Sequence, residues 1–266
     1  MKIRCQTSQF SFSGRSHNHR SFMLRKLLMI GLVVISSPVV RSQSAAPKAA
    51  RKQGYTVQYS PRLNLSSASE IDQRLQAPFT EGTAHPAGVD NCTQLLDKCG
   101  YALQEGCGSQ SSSASDRDAQ AQKSSLVDCL ILREMQHATP STTSHVAELN
   151  WDEHILPLLP PQLAINVSAE SLGKAKAAAT RGESWPDFDK SAAASGDGPD
   201  QIVVQGDGFV ERVILWGRGD FNGDGIQDLL VQSLDTLTGG TYRNTRLFIL
   251  TRKTPRGKLA VVRVLL

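Results

Sequence analysis

The sequence contains no G-x-S-x-G nucleophile elbow, no H-E-x-x-H zinc helix, no P-loop and no G-x-G-x-x-G fingerprint. These absences remove the sequence-readable routes to acyl transfer, zinc hydrolysis, phosphoryl transfer and dinucleotide chemistry. Aromatic residues are only 6% of the chain, while Ser, Ala and Gly are frequent, so a modest core with much loop is expected. No C-x-x-C pair occurs, and no histidine stands at ligand spacing beside a cysteine, which argues against structural zinc. His85, His137, His145 and His154 are scattered. The apolar run Leu27–Ile35 is broken by Ser36, Ser37 and Pro38, short of the ~20 residues of a membrane span.

That short run has another use. Arg25 and Lys26 precede it, and Val40 and Ser42 stand at the −3 and −1 positions of a cleavage site. This is the layout of a secretory signal peptide, with a retained anchor as the alternative. Residues 1–42 are expected to be leader and signal peptide, and the destination periplasmic or secreted, with no membrane span after signal cleavage. Seven of the 29 Lys and Arg residues lie in this leader and no Asp or Glu does; the remaining 22 face 25 acidic residues, a net of −3. The basic pI therefore belongs to the leader and lends no support to nucleic-acid binding.

The rest of the chain keeps four cysteines, Cys92, Cys99, Cys107 and Cys129. An even number in an exported chain reads as two disulfides. Three pairings are possible. On one helix, Cys92 and Cys99 would be ~10.5 Å apart, beyond disulfide reach. Cys99–Cys107 with Cys92–Cys129 is the pairing favoured.

Residues 43–54 form an Ala/Lys/Ser linker expected to be disordered. Ser67 to Glu70 has capping-box spacing ahead of a short helix that Pro78 ends. A second helix is expected over 92–103, a polar low-complexity loop over 108–125, and a third helix over 126–138. Val127, Leu130, Ile131, Met135 and Ala138 give this third helix a buried stripe. Residues 150–161 read as an apolar connector punctuated by proline, and Ser168 caps an Ala-rich helix ending at Arg181-Gly182. Ser191 to Asp200 reads as a flexible linker. Residues 55–190 are thus helical and disulfide-bonded.

Beyond Asp200 the period changes. Segments 201–205, 209–216, 228–235, 245–252 and 258–266 are rich in Val, Ile and Leu and are separated by Gly-, Asp- and Pro-bearing turns. Residues 200–266 therefore form an antiparallel meander. Ala260, Val262, Val264 and Leu266 supply an apolar face, expected to meet the stripe of the third helix. The fold class is α+β: a disulfide-tied helical N-terminal part packed on one face of a small antiparallel sheet.

Between the second and third of these strands runs RGDFNGDGIQDLLV. Asp220, Asn222, Asp224 and Asp228 place oxygens at alternating loop positions, Gly225 permits a sharp turn, and Ile226 offers its carbonyl. Calcium takes six to eight oxygens at ~2.3–2.6 Å, and a tight loop can turn such groups inward. Val231 stands where an EF-hand has its bidentate glutamate, and the flanks are strands. The bland alternative is an Asp-Gly hairpin that solvates itself. The pattern D-x-[DN]-x-D-G-x-x-D over residues 217–231 resembles the calcium loop of FG-GAP repeats, the integrin-α or VCBS-like type. The resemblance implies a calcium ion held by Asp220, Asn222, Asp224, the Ile226 carbonyl and Asp228. It also implies one four-stranded blade over 209–266. A propeller needs at least ~4 blades, so a closed ring is not expected from one.

Arg218-Gly219-Asp220 spells RGD, but an Asp220 that ligates calcium is unavailable to a receptor. From Thr236 onward there are seven basic residues and no acidic one. They read as solvated strand edges or as a surface for an anionic glycan. The expectation is a monomeric, exported, non-enzymatic binding or structural protein with one calcium, its partner an unknown protein or an anionic glycan. The alternative is a hydrolase or enzyme-inhibitor domain using the helical region.

Overall fold

Seven residues in two neighbouring strands, Leu229, Leu230 and Val231 with Leu247, Phe248, Ile249 and Leu250, are buried side by side. Successive strand residues point to opposite faces, so both faces of this sheet are covered. A computed structural model describes residues 54–65, 67–80, 89–99 and 116–266. The leader and linker up to residue 53, His85, residues 100–103, Cys107 and the 108–115 part of the polar loop lie outside the described residues. Those described belong to one compact unit spanning 52–266.

The sheet is antiparallel throughout. Its strands are β1 (Gln58–Tyr59), β2 (Ala193–Gly196), β3 (Gln201–Gly206), β4 (Phe209–Gly219), β5 (Asp228–Leu237), β6 (Arg243–Thr251) and β7 (Ala260–Val264). They run in the order β2-β3-β4-β5-β6-β7, with β1 added on β4 beyond the end of β3. The five expected strands are present, and the chain is α+β. The stretch read as a linker contains β2, whose residues 193–196 pair with 202–205. Ala, Ser and Gly have little intrinsic strand preference; backbone pairing at the sheet edge supplies what the side chains do not.

One face is covered by α1 (Ala68–Gln76), α2 (Cys92–Cys99) and α3 (Asp116–His137). Ile71, Leu75, Leu95, Val127, Ile131 and Met135 pack there with Leu230, Leu247, Ile249 and Leu265. A Cys92–Cys129 disulfide ties α2 to α3, as favoured from the sequence. Helix α3 starts ten residues before the expected Leu126. Its first turns carry Ala, Gln and Lys, good helix formers that leave no apolar periodicity to read.

The other face overturns the expectation of one-sided packing. Residues 146–188, including the stretch read as a connector, cover it: Trp151, Ile155, Leu159, Leu163 and Trp185 pack on Val213, Leu215, Leu229, Val231, Phe248 and Leu250. Their backbone runs in 3₁₀ turns at Glu153–Leu158 and Pro161–Leu163, followed by α4 (Ala169–Thr180) and α5 (Trp185–Phe188). Short 3₁₀ turns broken by proline carry no 3.6-residue period. Helix α4 has the expected ends: a Ser168–Ser171 capping box, and Gly182 at φ 76° with Glu183 N–H donating to Ala178 O.

Of the expected meeting of the α3 stripe with Ala260, Val262, Val264 and Leu266, only the Leu266 part is present: Leu266 packs against the cluster that holds the stripe. Val262 and Val264 are 43% and 42% exposed, and the stripe packs with Leu230 of β5 and Leu247 and Ile249 of β6. The β6–β7 register jumps from Ile249↔Arg263 to Leu250↔Val261, leaving Val262 as an unpaired extra residue. Such a bulge inverts the in–out alternation beyond it. Leu265 turns to the helical layer, while Val261 packs on the opposite face.

Glycine at 217 sets how closely α3 approaches the sheet. A Cβ there would stand 2.5 Å from Met135 Cε and 2.8 Å from Gln58 O. Gly217→Ala should therefore destabilise the fold by about 1–3 kcal/mol through overpacking, read as a lower urea midpoint. An unchanged midpoint would show that α3 and β1 do not close on β4 as described.

Candidate metal centre

β4 and β5 are joined by residues 220–227, with Gly219 paired to Asp228 at the base. Gly223 and Gly225 adopt φ of 80° and 79°, the left-handed region that glycine enters without steric cost. The loop is wound by its own acceptors. Asp220 Oδ1 accepts from Gly223 N–H at 2.7 Å and Asp220 Oδ2 from Gly225 N–H at 2.8 Å. Asn222 Oδ1 accepts from Asp224 N–H at 2.9 Å, and Asp224 Oδ1 from Ile226 N–H at 2.8 Å. Asp220 is buried, Asn222 and Asp224 are exposed, and Ile226 is half-buried.

Asp228 differs from the others. It is fully buried; Oδ2 accepts from Phe221 N–H at 3.3 Å, Oδ1 makes no hydrogen bond of ordinary geometry, and the Thr251 hydroxyl is close enough to favour the ionised form. Burial pushes its carboxyl up to about 6 and the charges of Asp224 and Asp220 add to this, against the Thr251 hydroxyl and the Phe221 N–H. Among the described residues no three His, Cys, Asp or Glu side chains are drawn together as a ready-made metal cluster. The acidic groups are instead turned to the loop's own N–H groups. Such bonds fix each carboxylate while leaving it lone pairs for a further acceptor contact. The donor set is all oxygen, which suits a hard cation.

The loop rests on a second segment that the sequence did not announce. Thr139 and Asp220 exchange backbone hydrogen bonds, Thr142 and Thr143 N–H both donate to Gly225 O, and Gln227 N–H donates to Thr143 O. Ser144 Oγ donates to Gln227 Oε1 at 2.8 Å.

Comparison of the chain with protein-family models, with curated proteins and with solved structures finds no match.

The RGD triplet is not displayed. Asp220 is 6% exposed, and the Arg218 guanidinium donates to the carbonyls of Val146, Ala147 and Leu149. The basic C-terminal residues are also largely engaged. Arg246 and Arg263 pair with buried acids, Arg252 donates to Gly257 O and His145 O, and Lys258 donates to Gly182 O and Asp187. The exposed Arg243 lies at one end of β6, and Lys253 and Arg256 lie beyond the other.

At the far end of β5 is a second polar group that sequence reading missed. Glu211, Ser233 and Asp235 are buried on the face covered by residues 146–188. Ser233 Oγ lies 2.6 Å from Glu211 Oε1 and 2.5 Å from Asp235 Oδ1. Arg246 donates to Asp235 Oδ1 at 3.0 Å and to the carbonyls of Gln162 and Leu163. One guanidinium serves two acids and ties the second cover to the sheet. Register was the available signal, since Glu211 stands opposite Asp235, but no local motif in the sequence marks the pair.

Burial, followed by the charge of Asp235, raises the Glu211 carboxyl well above its ordinary value of 4.5, with Arg246 and Ser233 opposing. A raised folded-state value means that this group's favourable contribution is complete below the ordinary carboxylate range. That contribution is lost as pH rises from there through the raised value. Glu211→Gln, which cannot ionise, should flatten the decline in melting temperature from pH 5 to pH 8. An equal loss of stability at both pH values would contradict a raised Glu211 carboxyl.

Proposed function

We propose that this chain is an exported, non-enzymatic binding or structural protein, in which one calcium ion held at the β4–β5 loop stabilises the fold. Asp228 carries the reading. A fully buried carboxylate oxygen without a partner, beside two further carboxylates, is costly unless a cation offsets it. Asp220, Asn222, Asp224, the Ile226 carbonyl and Asp228 would hold the ion, in the order of the FG-GAP calcium loop that this segment resembles. The ion supplies positive charge to a carboxylate-rich turn and joins the end of β4 to the start of β5. The Cys92–Cys129 disulfide supports an oxidising destination, periplasmic or secreted. A monomer fits a sheet whose two faces are covered by its own chain. Two clefts among the described residues, of about 360 and 260 Å³, are lined by neither a histidine nor a cysteine.

Extracellular sites of this kind bind calcium at ~10⁻⁴–10⁻³ M. At ten times Kd, linkage contributes about 1.4 kcal/mol, or roughly 3–6 °C for a domain of this size. Melting in millimolar calcium should exceed melting in chelator by that amount, and Asp224→Ala should remove the difference. Equal melts for the unaltered protein would overturn the calcium reading.

A further inference from the structure

Gly225 touches two systems at once. Its N–H is taken by the Asp220 carboxylate, while its carbonyl accepts from Thr142 and Thr143 N–H at 2.9 and 3.1 Å. The pattern repeats along the loop. Asp220 turns its side chain into the loop and exchanges backbone hydrogen bonds of 2.9 and 3.0 Å with Thr139. Gln227, between Ile226 and Asp228, donates its N–H to Thr143 O at 2.8 Å and accepts from Ser144 Oγ at 2.8 Å. These contacts of residues 139–144 land on a candidate ligand or on a residue between two of them. Arg218, two residues before Asp220, then binds the carbonyls of Val146 and Leu149. Two more buried atoms without partners belong to the same seam, Ser141 Oγ and Gln227 Nε2.

Residues 139–149 also occupy a particular place in the chain. They begin where α3 ends, two residues after His137, and lead into the apolar segment that covers the opposite face. They are the strap by which the chain passes from one layer to the other.

We propose that cation binding at the β4–β5 loop and docking of the strap 139–149 are one coupled equilibrium, so that the ion governs how firmly the second cover is attached to the sheet. This rests on the calcium reading above. The physical reason is that both events need the same peptide groups in the same orientation. An ion drawing Asp220, Asp224 and Asp228 together fixes the peptide planes at Gly225 and Gln227. Those planes present the groups that the strap binds. By reciprocity, a docked strap must raise the affinity of the loop for its cation by the same factor.

The test uses the full chain in two measurements. Isothermal calorimetry with calcium reports binding itself. Hydrogen exchange, with and without calcium, reports the amides of Thr139, Thr142 and Thr143, with α1 of the other layer as an internal control. The expected result is a calcium-dependent slowing of at least tenfold at those three amides, larger than any slowing across α1. Heat of binding with protection confined to 220–228 would overturn the coupling and leave the calcium reading intact; no heat of binding would overturn both. Thr142→Val removes the exposed hydroxyl 3.2 Å from Gly225 O and should weaken calcium binding about threefold, the scale of one modest hydrogen bond. Unchanged affinity in that variant would contradict a strap that supports the site.

Discussion

The central strands β5 and β6 are apolar on both sides, and the rest of the molecule answers to that constraint. Leu230, Leu247 and Ile249 face one way, Leu229, Val231, Phe248 and Leu250 the other. Each such side chain is worth about 1.5–3 kcal/mol when buried. Uncovering either set would thus forfeit an amount comparable to the whole ~5–15 kcal/mol of a domain's net stability. One layer cannot protect such a sheet. The chain therefore builds two, and it must cross from the first to the second at an end of the strands.

That crossing explains why polar chemistry gathers where it does. At the start of β5 the strap meets the Asp-rich loop, and Arg218 holds the carbonyls just beyond. At the end of β5, Arg246 joins Glu211 and Asp235 to the carbonyls of Gln162 and Leu163 on the same cover. The second cover, rich in proline and 3₁₀ turns, makes few backbone hydrogen bonds to the sheet. It is held mainly by apolar contact and by these two polar anchors. The first cover adds regular helices and the Cys92–Cys129 bridge to its own polar anchors, Arg263 on Glu134 and Lys123 on Asn244.

What was legible in the sequence follows from these differences. The five main strands announce themselves by apolar runs between turn residues, and α4 by its serine cap and terminal glycine. The loop proposed to hold calcium is readable because its oxygen-bearing residues are local, all within Asp220 to Asp228. The second cover is not readable, since Asn150 to Pro161 has apolar residues but no period. Strand β2 has pairing but no propensity. The destination of the α3 stripe depends on a bulge at Val262, which no local pattern in Ala260–Leu266 betrays. The strap was missed for the same reason: Thr139 to Ser144 act through backbone groups, and a threonine-rich stretch after a helix looks like any loop.

The proposed calcium ion would answer the unpartnered oxygen of Asp228. Native mass spectrometry of the folded chain in calcium acetate reports bound ions directly. One calcium per chain, lost on Asp228→Asn while the fold survives, is the predicted result. A chain that carries no calcium, or that keeps its ion in the Asp228→Asn variant, would contradict it.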